Sequence, residues 1–241
     1  MTVHKIQMGD EGQIASRALV ERVVAVAGRV REAAPEWKER LGQLKTQVAT
    51  LATIDKQYGG LGRLPLEDAG DLVDAILTEL ARIEGDLERR RIGGPVPELD
   101  EVAIGVALWA MRHEVAIGAV APVANALARH SNAAKKPAEL AAILGIMHGV
   151  ARHVAPALAA DLDRMNPERP WRILHVNLAV TAIRGEDPAL IEAAFDALDA
   201  ALPEERAGFY AEALALALSP RVAPAVRERI EARHLKWTAP A

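Results

Sequence analysis

The chain has 241 residues and a formal charge of -4, enough length to bury roughly 70% of its unfolded surface in one large domain or two small ones. Neither half is basic, with 14 Lys/Arg against 15 Asp/Glu up to Val96 and 15 against 18 beyond it, so the concentrated cationic face of a nucleic-acid binder is not expected. The absence of cysteine removes disulfides, thiolate nucleophiles and zinc–thiolate sites together, which fits a cytoplasmic protein.

Hydrophobic residues make up 51% of the chain but aromatics only 3%, so any core is built mainly from Ala, Leu, Val and Ile. Alanine and leucine are the strongest helix formers and the strand-favouring Tyr, Phe and Thr are scarce, which predicts an all-α chain. The Ala- and Arg-rich usage is also what a GC-rich, bacterial-like genome produces. The N-terminus reaches Asp10 and Glu11 without an apolar run, unlike a secretory signal. The longest charge-free apolar run, Val115 to Ala128, contains Pro122 and Asn125 and is too short to span a bilayer. A soluble protein with no membrane partner is expected.

In chain order, Ile14, Leu19, Val23, Val26 and Val30 recur at helical spacing with Arg17, Glu21, Arg22, Arg29 and Arg31 on other faces, predicting an amphipathic helix that ends near Ala34. Pro35 opens a second helix, because proline at the first position forfeits no hydrogen bond and Glu36 complements the dipole. Trp37, Leu41, Leu44, Val48 and Leu51 form its stripe. Tyr58-Gly59-Gly60-Leu61-Gly62-Arg63-Leu64-Pro65 then breaks the pattern. It has neither a preceding strand nor the Walker Lys-Ser/Thr pair, so it reads as an interhelix turn and not a phosphate loop. A third helix runs from Leu66 to Arg91, with Leu72, Ile76, Leu80, Ile83 and Leu87 facing inward and Arg89, Arg90 and Arg91 complementing its C-terminal dipole.

Gly93-Gly94-Pro95-Val96-Pro97 is the clearest break, dividing an N-terminal segment of three longer helices, 1–96, from an alanine-rich region, 97–241, unless the two form one continuous domain. Beyond it the prolines read as helix starts. Pro122, Pro156, Pro188 and Pro224 recur at intervals of 34, 32 and 36, and Pro137, Pro170 and Pro203 at 33 and 33. Two interleaved series of one period imply a repeated unit of short helix, turn and longer helix. The units would be Pro122–His130 with Pro137–His153, Pro156–Met165 with Pro170–Arg184, and Pro188–Ala201 with Pro203–Leu218, capped by Val222–Lys236.

The period is that of HEAT and tetratricopeptide (TPR) repeats. Val154-Ala155-Pro156-Ala157-Leu158 followed by Asn166-Pro167-Glu168 resembles a HEAT unit, a pattern-level likeness within residues 97–236, whereas the glycine and alanine positions of a tetratricopeptide are not in place. The fold expected is therefore an all-α superhelix of helical hairpins in the C-terminal part, preceded by longer amphipathic helices. The alternative is a compact irregular helical bundle whose helices happen to start with proline.

Polar residues inside alanine-rich helices are where function could sit. Trp109 and His113, four apart, share a helix face, whereas Arg112 and Glu114 point in nearly opposite directions at about 100° per residue. Each of these charges must find a partner on another helix or reach solvent. Arg112, Arg152 and Arg184 fall 15, 15 and 14 residues after Pro97, Pro137 and Pro170, which would align them as an arginine row able to take carboxylates or phosphates. The competing explanation is that each satisfies carbonyls at a helix C-terminus.

His148 and His153 are five apart and diverge on a helix, and Glu231-Ala232-Arg233-His234 is the sole Glu-x-x-His, so no metal site is expected. No nucleophile motif is visible among Ser16, Ser131 and Ser219. The carboxylate pairs Asp161/Asp163 and Asp196/Asp199 read as solvated surface. No catalytic residue and no cofactor is predicted.

The leading expectation is a non-catalytic protein-interaction or scaffold module that binds a protein segment, or a second copy of itself as a homo-oligomer, through a helical groove. Trp37, Trp109, Trp171 and Trp237 are anchors or core. Its candidate binding residues are Trp109, Arg112, His113, Glu114, Arg152, His175 and Arg184. The alternative is a helical enzyme or small-ligand binder with a pocket near His113, Glu114, Arg152 and His175.

Overall fold

The computed structural model describes residues 16–28, 37–65, 67–90, 97–160, 162–164, 166–219 and 222–238. Among them the chain is all-helical, with eleven helices and a single isolated bridge in place of any strand. The helices are α1 (16–28), α2 (Lys38–Tyr58), α3 (Ala69–Arg90), α4 (Pro97–Arg112), α5 (Ala121–Ala133), α6 (Pro137–His153), α7 (Pro156–Ala159), α8 (Pro170–Gly185), α9 (Pro188–Ala201), α10 (Arg206–Ala217) and α11 (Pro224–Thr238).

Proline opens α4, α6, α7, α8, α9 and α11, where its fixed φ suits the first turn and its missing N–H costs nothing. At α9 the preceding Asp187 adds a cap, its Oδ1 accepting from the Ala189 and Leu190 amides at 2.9 and 3.1 Å. Two prolines behave differently from expectation. Pro203 lies in the turn before α10, which starts three residues later at Arg206. Pro156 begins only one turn, so α7 stops at Ala159 instead of continuing to Met165, a residue outside those described. The Asn166–Pro167 pair that follows forms an Asx-type turn, with Glu168 N donating to Asn166 Oδ1 at 2.9 Å.

The residues fall into two compact units. One comprises the described residues up to Leu127 together with Arg152–Ala160, and the other comprises Ala128–Ala151 and the described residues after 161.

In the first unit Leu19, Val23 and Val26 of α1 are buried as the spacing predicts, while Ile14, Val30, Pro35 and Glu36 lie outside the described residues. Trp37 and the α2 stripe Leu41, Leu44, Val48 and Leu51 are all buried. On α3, Ile76, Leu80, Ile83 and Leu87 face inward with Val73 and Leu77, and Leu72 is half-buried. Helix α4 packs against α3 and is buried from Leu99 to Ala110 over most of its surface. That is possible because its alanines and Gly105 let neighbours approach: a Cβ at Gly105 would lie 2.2 Å from Leu19 Cδ2.

The apolar run after α4 is not helical at once. Ile117 pairs with Val154 in a parallel bridge, with Ile117 N donating to His153 O at 2.7 Å and Ala155 N to Ile117 O at 2.8 Å. Asp74 of α3 then accepts the Gly118 and Ala119 amides at 2.8 and 2.9 Å, and α5 starts only at Ala121.

In the second unit α8 packs on α9, α9 on α11 and α11 on α10. The core is formed by Leu174 and Leu178 of α8, Ile191, Phe195 and Leu198 of α9, Tyr210 of α10, and Val226 and Ile230 of α11. Burying each aliphatic side chain of this size contributes roughly 1.5–3 kcal/mol. Phe195 and Tyr210 meet edge to face, with centroids 5.1 Å apart. No described helix is long and apolar enough to cross a membrane.

Candidate functional site

Of the buried aspartates Asp55, Asp100 and Asp199, Asp55 in the first unit and Asp199 in the second each gather several side-chain donors. Asp55 continues the α2 stripe Leu41, Leu44, Val48, Leu51 by one more turn and is fully buried. Its Oδ1 accepts Trp109 Nε1–H at 2.8 Å and lies 2.7 Å from His113 Nε2. Its Oδ2 accepts the Ser16 hydroxyl and, at 3.3 Å, Arg112 Nη2. Arg112 Nε donates to Gly60 O at 3.2 Å, and Gly62 N donates to Arg112 O at 2.9 Å. The glycine turn is thereby tied to the end of α4, with Gly59, Gly60 and Gly62 at φ 93, 71 and 98 as the left-handed turn requires.

The second nitrogen of His113, Nδ1, lies 2.9 Å from Gly62 O. Both ring nitrogens thus face acceptors, so His113 ties the Asp55 carboxylate to the glycine turn. Burial alone would raise the Asp55 carboxyl, but hydrogen bonds from His113 and Ser16 and the charge of Arg112 outweigh it and hold the group below the usual carboxylate range. Serine, histidine and aspartate meet here without forming a nucleophilic triad. The carboxylate stands in the middle and takes the serine proton donor itself, so the hydroxyl is not directed at an imidazole base.

Asp199 repeats the device in the second unit. Tyr210 Oη donates to its Oδ1 at 2.9 Å, while Arg233 Nη1 and Trp237 Nε1 donate to its Oδ2 at 2.6 and 3.1 Å. Arg206 donates to the Asp199 carbonyl and lies over the Trp237 ring, 4.3 Å from its centroid. Burial and the neighbouring Asp199 push the Tyr210 phenol well above its ordinary value. Of the pairs expected to be solvated, Asp163 and Asp196 are exposed, whereas Asp199 is buried because three side-chain donors converge on it. Asp161 lies outside the described residues.

The candidate residues have separate tasks. Trp109, Arg112 and His113 come together at Asp55, with the Trp109 and His113 rings 4.7 Å apart. Glu114 is exposed at φ 55, just past the end of α4. Arg152 is exposed near the end of α6. His175 is buried in α8 with its ring edge-on to Trp171, centroids 4.3 Å apart. Arg184 donates to the carbonyls of Ser131 and Ala134 at the end of α5. Arg112 and Arg184 therefore both serve carbonyls next to the end of another helix. Of the tryptophans, Trp37 and Trp109 are core, while Trp171 and Trp237 are half-buried.

Sequence reasoning passed over Asp55 and assigned Asp199 to solvated surface, although each carried a signal: a carboxylate on an otherwise apolar helical stripe must be paired if buried.

A groove lies between α8 and α10. It encloses about 450 Å³ and is lined by Val176, Val180 and Ile183 on one side and Phe209, Ala213 and Leu216 on the other. Arg172 and Arg184 stand on its α8 edge, with Glu204, Glu205 and Glu212 on the α10 edge. Glu205 is held by Arg169, at 2.6 Å, and by Arg172. A shallower hollow of about 520 Å³ in the first unit is lined in part by Arg63, Glu67, His113 and Glu114. Among the described residues no three His, Asp or Glu side chains are grouped to hold a metal ion.

Among the described residues the chain is all-helical, with an apolar groove between α8 and α10 and, in each unit, a buried aspartate on which side-chain donors converge. No protein-family model, curated protein or solved structure matches it.

Proposed function

We propose that this chain is a non-catalytic protein-interaction module that receives an apolar protein surface in the α8/α10 groove. The observation that carries this reading is α10 itself. A helix that is apolar all round is normally buried. Between Ala207 and Leu218 the only charged residue of α10 is Glu212, yet Ala211, Ala215 and Leu216 are exposed, Leu216 to 76%. Exposed apolar surface of this kind, rimmed by charge, marks a surface made to be covered. The same proposal takes residues 97–241 as HEAT- or TPR-like helical hairpins on the strength of the proline-started helices, with the hairpins offset by one helix from the units read in the sequence: α8 packs on α9 and α10 on α11, where the sequence units paired α9 with α10. A cytoplasmic setting belongs to it too, on the cysteine-free composition.

The test is a photo-crosslinking residue placed at Ala213, in the groove, and at Thr50, on the exposed side of α2. In cells of the source organism a discrete protein adduct is expected at Ala213 alone, lost when Leu216 is changed to Glu. Absence of any adduct at Ala213, or equal labelling at both positions, overturns the interaction reading.

A second reading, a small-ligand site, is favoured by the hollow beside His113 and Glu114. It predicts a metabolite that raises Tm in the wild-type chain and does not in Arg63→Ala.

A further inference from the structure

Resting on the reading of the α8/α10 groove as an interaction surface, we propose that its occupant is a second copy of this chain, docked across a two-fold axis. An isologous contact needs a patch that is complementary to itself, carrying both a hollow and the feature that fills it. This patch has both. Val176, Val180 and Phe209 line the hollow, and Leu216 projects at its lip, 76% exposed, followed by Leu218 at 68%.

The charges point the same way. Arg172 and Arg184 stand on the α8 edge, and Glu204, Glu205 and Glu212 on the α10 edge. Glu205 is neutralised by Arg169 and Arg172 and Glu204 by Arg164, which leaves Arg184 as the net positive charge of the first edge and Glu212 as the net negative charge of the second. A two-fold axis running along the groove lays groove on groove with the α8 edge of one copy over the α10 edge of the other. Glu212 of each copy then faces the edge of the other that carries Arg184, on both sides of the contact. Arg172 and Arg184 are already hydrogen-bonded within their own chain, to Glu205 and to the Ser131 and Ala134 carbonyls. Arg172 is neutralised by Glu205, whereas Arg184 meets neutral acceptors and keeps its charge, so across the interface Arg184 sets orientation through its field more than through new bonds. Glu212 has no ion-pair partner among the described residues, which leaves it as the acid that reads the partner's basic edge.

Sedimentation velocity of the full 25.9 kDa chain over a range of micromolar concentrations tests the proposal. The wild type is expected to show twice the chain mass and Leu216→Glu the single-chain mass. Leu162→Glu, at a leucine that is 88% exposed outside the groove, should keep the wild-type mass. Glu212→Arg places like charge against the partner's basic edge and should weaken self-association by about tenfold or more. It replaces one exposed polar residue by another, so it decides the matter if Leu216→Glu alters the far-UV circular dichroism.

A wild type that stays monomeric throughout, or a dimer indifferent to both groove substitutions, overturns the proposal. Foreign peptides in the Ala213 adduct of a monomeric chain would leave the groove reading standing and remove the second copy as its occupant. The absence of any adduct would remove both.

Discussion

At Asp55 a carboxylate buried in an apolar stripe is matched by donors from Ser16, Trp109, Arg112 and His113, and each would lose its acceptor on truncation. Asp55→Ala is therefore expected to destabilise the chain by about 3–5 kcal/mol, the range for removing one partner of a buried ion pair. Urea unfolding followed by circular dichroism measures this, and Asp55→Asn, which keeps an acceptor, should lose less.

The pH dependence has a defined sign. The folded-state carboxyl of Asp55 lies below its unfolded value, so its contribution is complete above about pH 4 and is lost as the pH falls further through the folded value. Tyr210 works at the other end of the scale. Its phenol is raised in the folded state, first by burial and then by Asp199, so the unfolded chain releases that proton first. Stability is expected to decline as the pH rises past about 10. Tyr210→Phe should flatten this alkaline limb while costing about 1 kcal/mol at neutral pH for the lost hydrogen bond.

Among the elements, several helix ends depend on one residue of unusual type. Helix α8 is capped just past its end by Glu186, at φ 58, a left-handed position that glycine fills without strain. Glu186→Gly is expected to stabilise by about 1 kcal/mol, read as a rise in the urea midpoint. The opposite holds at Gly118. A Cβ there would sit 2.3 Å from Asp74 Oδ2, the carboxylate that accepts the Gly118 and Ala119 amides. Gly118→Ala must push that carboxylate away, and a loss of about 1–3 kcal/mol is expected from the orphaned amides.

Helix limits were legible where proline stands at the first position, as at α4, α6 and α9. They were not legible at α7, where an alanine-rich stretch with high intrinsic propensity stops after one turn. Propensity is a weak prior, and the extended pairing of Val154 with Ile117 immediately before Pro156 fixes the path of the chain there.

On the scale of the whole molecule, the proposed dimerisation through α10 would couple stability to concentration, because a partner that binds only the folded state stabilises it by mass action. The Tm of the wild type should rise with protein concentration, and that of Leu216→Glu should not; differential scanning calorimetry at several concentrations checks this.

The sequence by itself determined the all-helical class, the inward stripes of α1 to α3, the turn at Gly59–Gly62 and the proline-led starts, since these follow from propensity, periodicity and local sterics within a few residues. It also required that Arg112 find a partner beyond its own helix. Only the tertiary structure decided which partner. Asp55 lies 57 residues from Arg112 and Asp199 lies 34 from Arg233, and pairings across such separations depend on how the helices pack. The groove follows the same rule: α8 and α10 each read as an ordinary apolar helix. What leaves α10 uncovered is the placement of α9 and α11 on its inner side, where Phe195 meets Tyr210 and Arg206 covers Trp237.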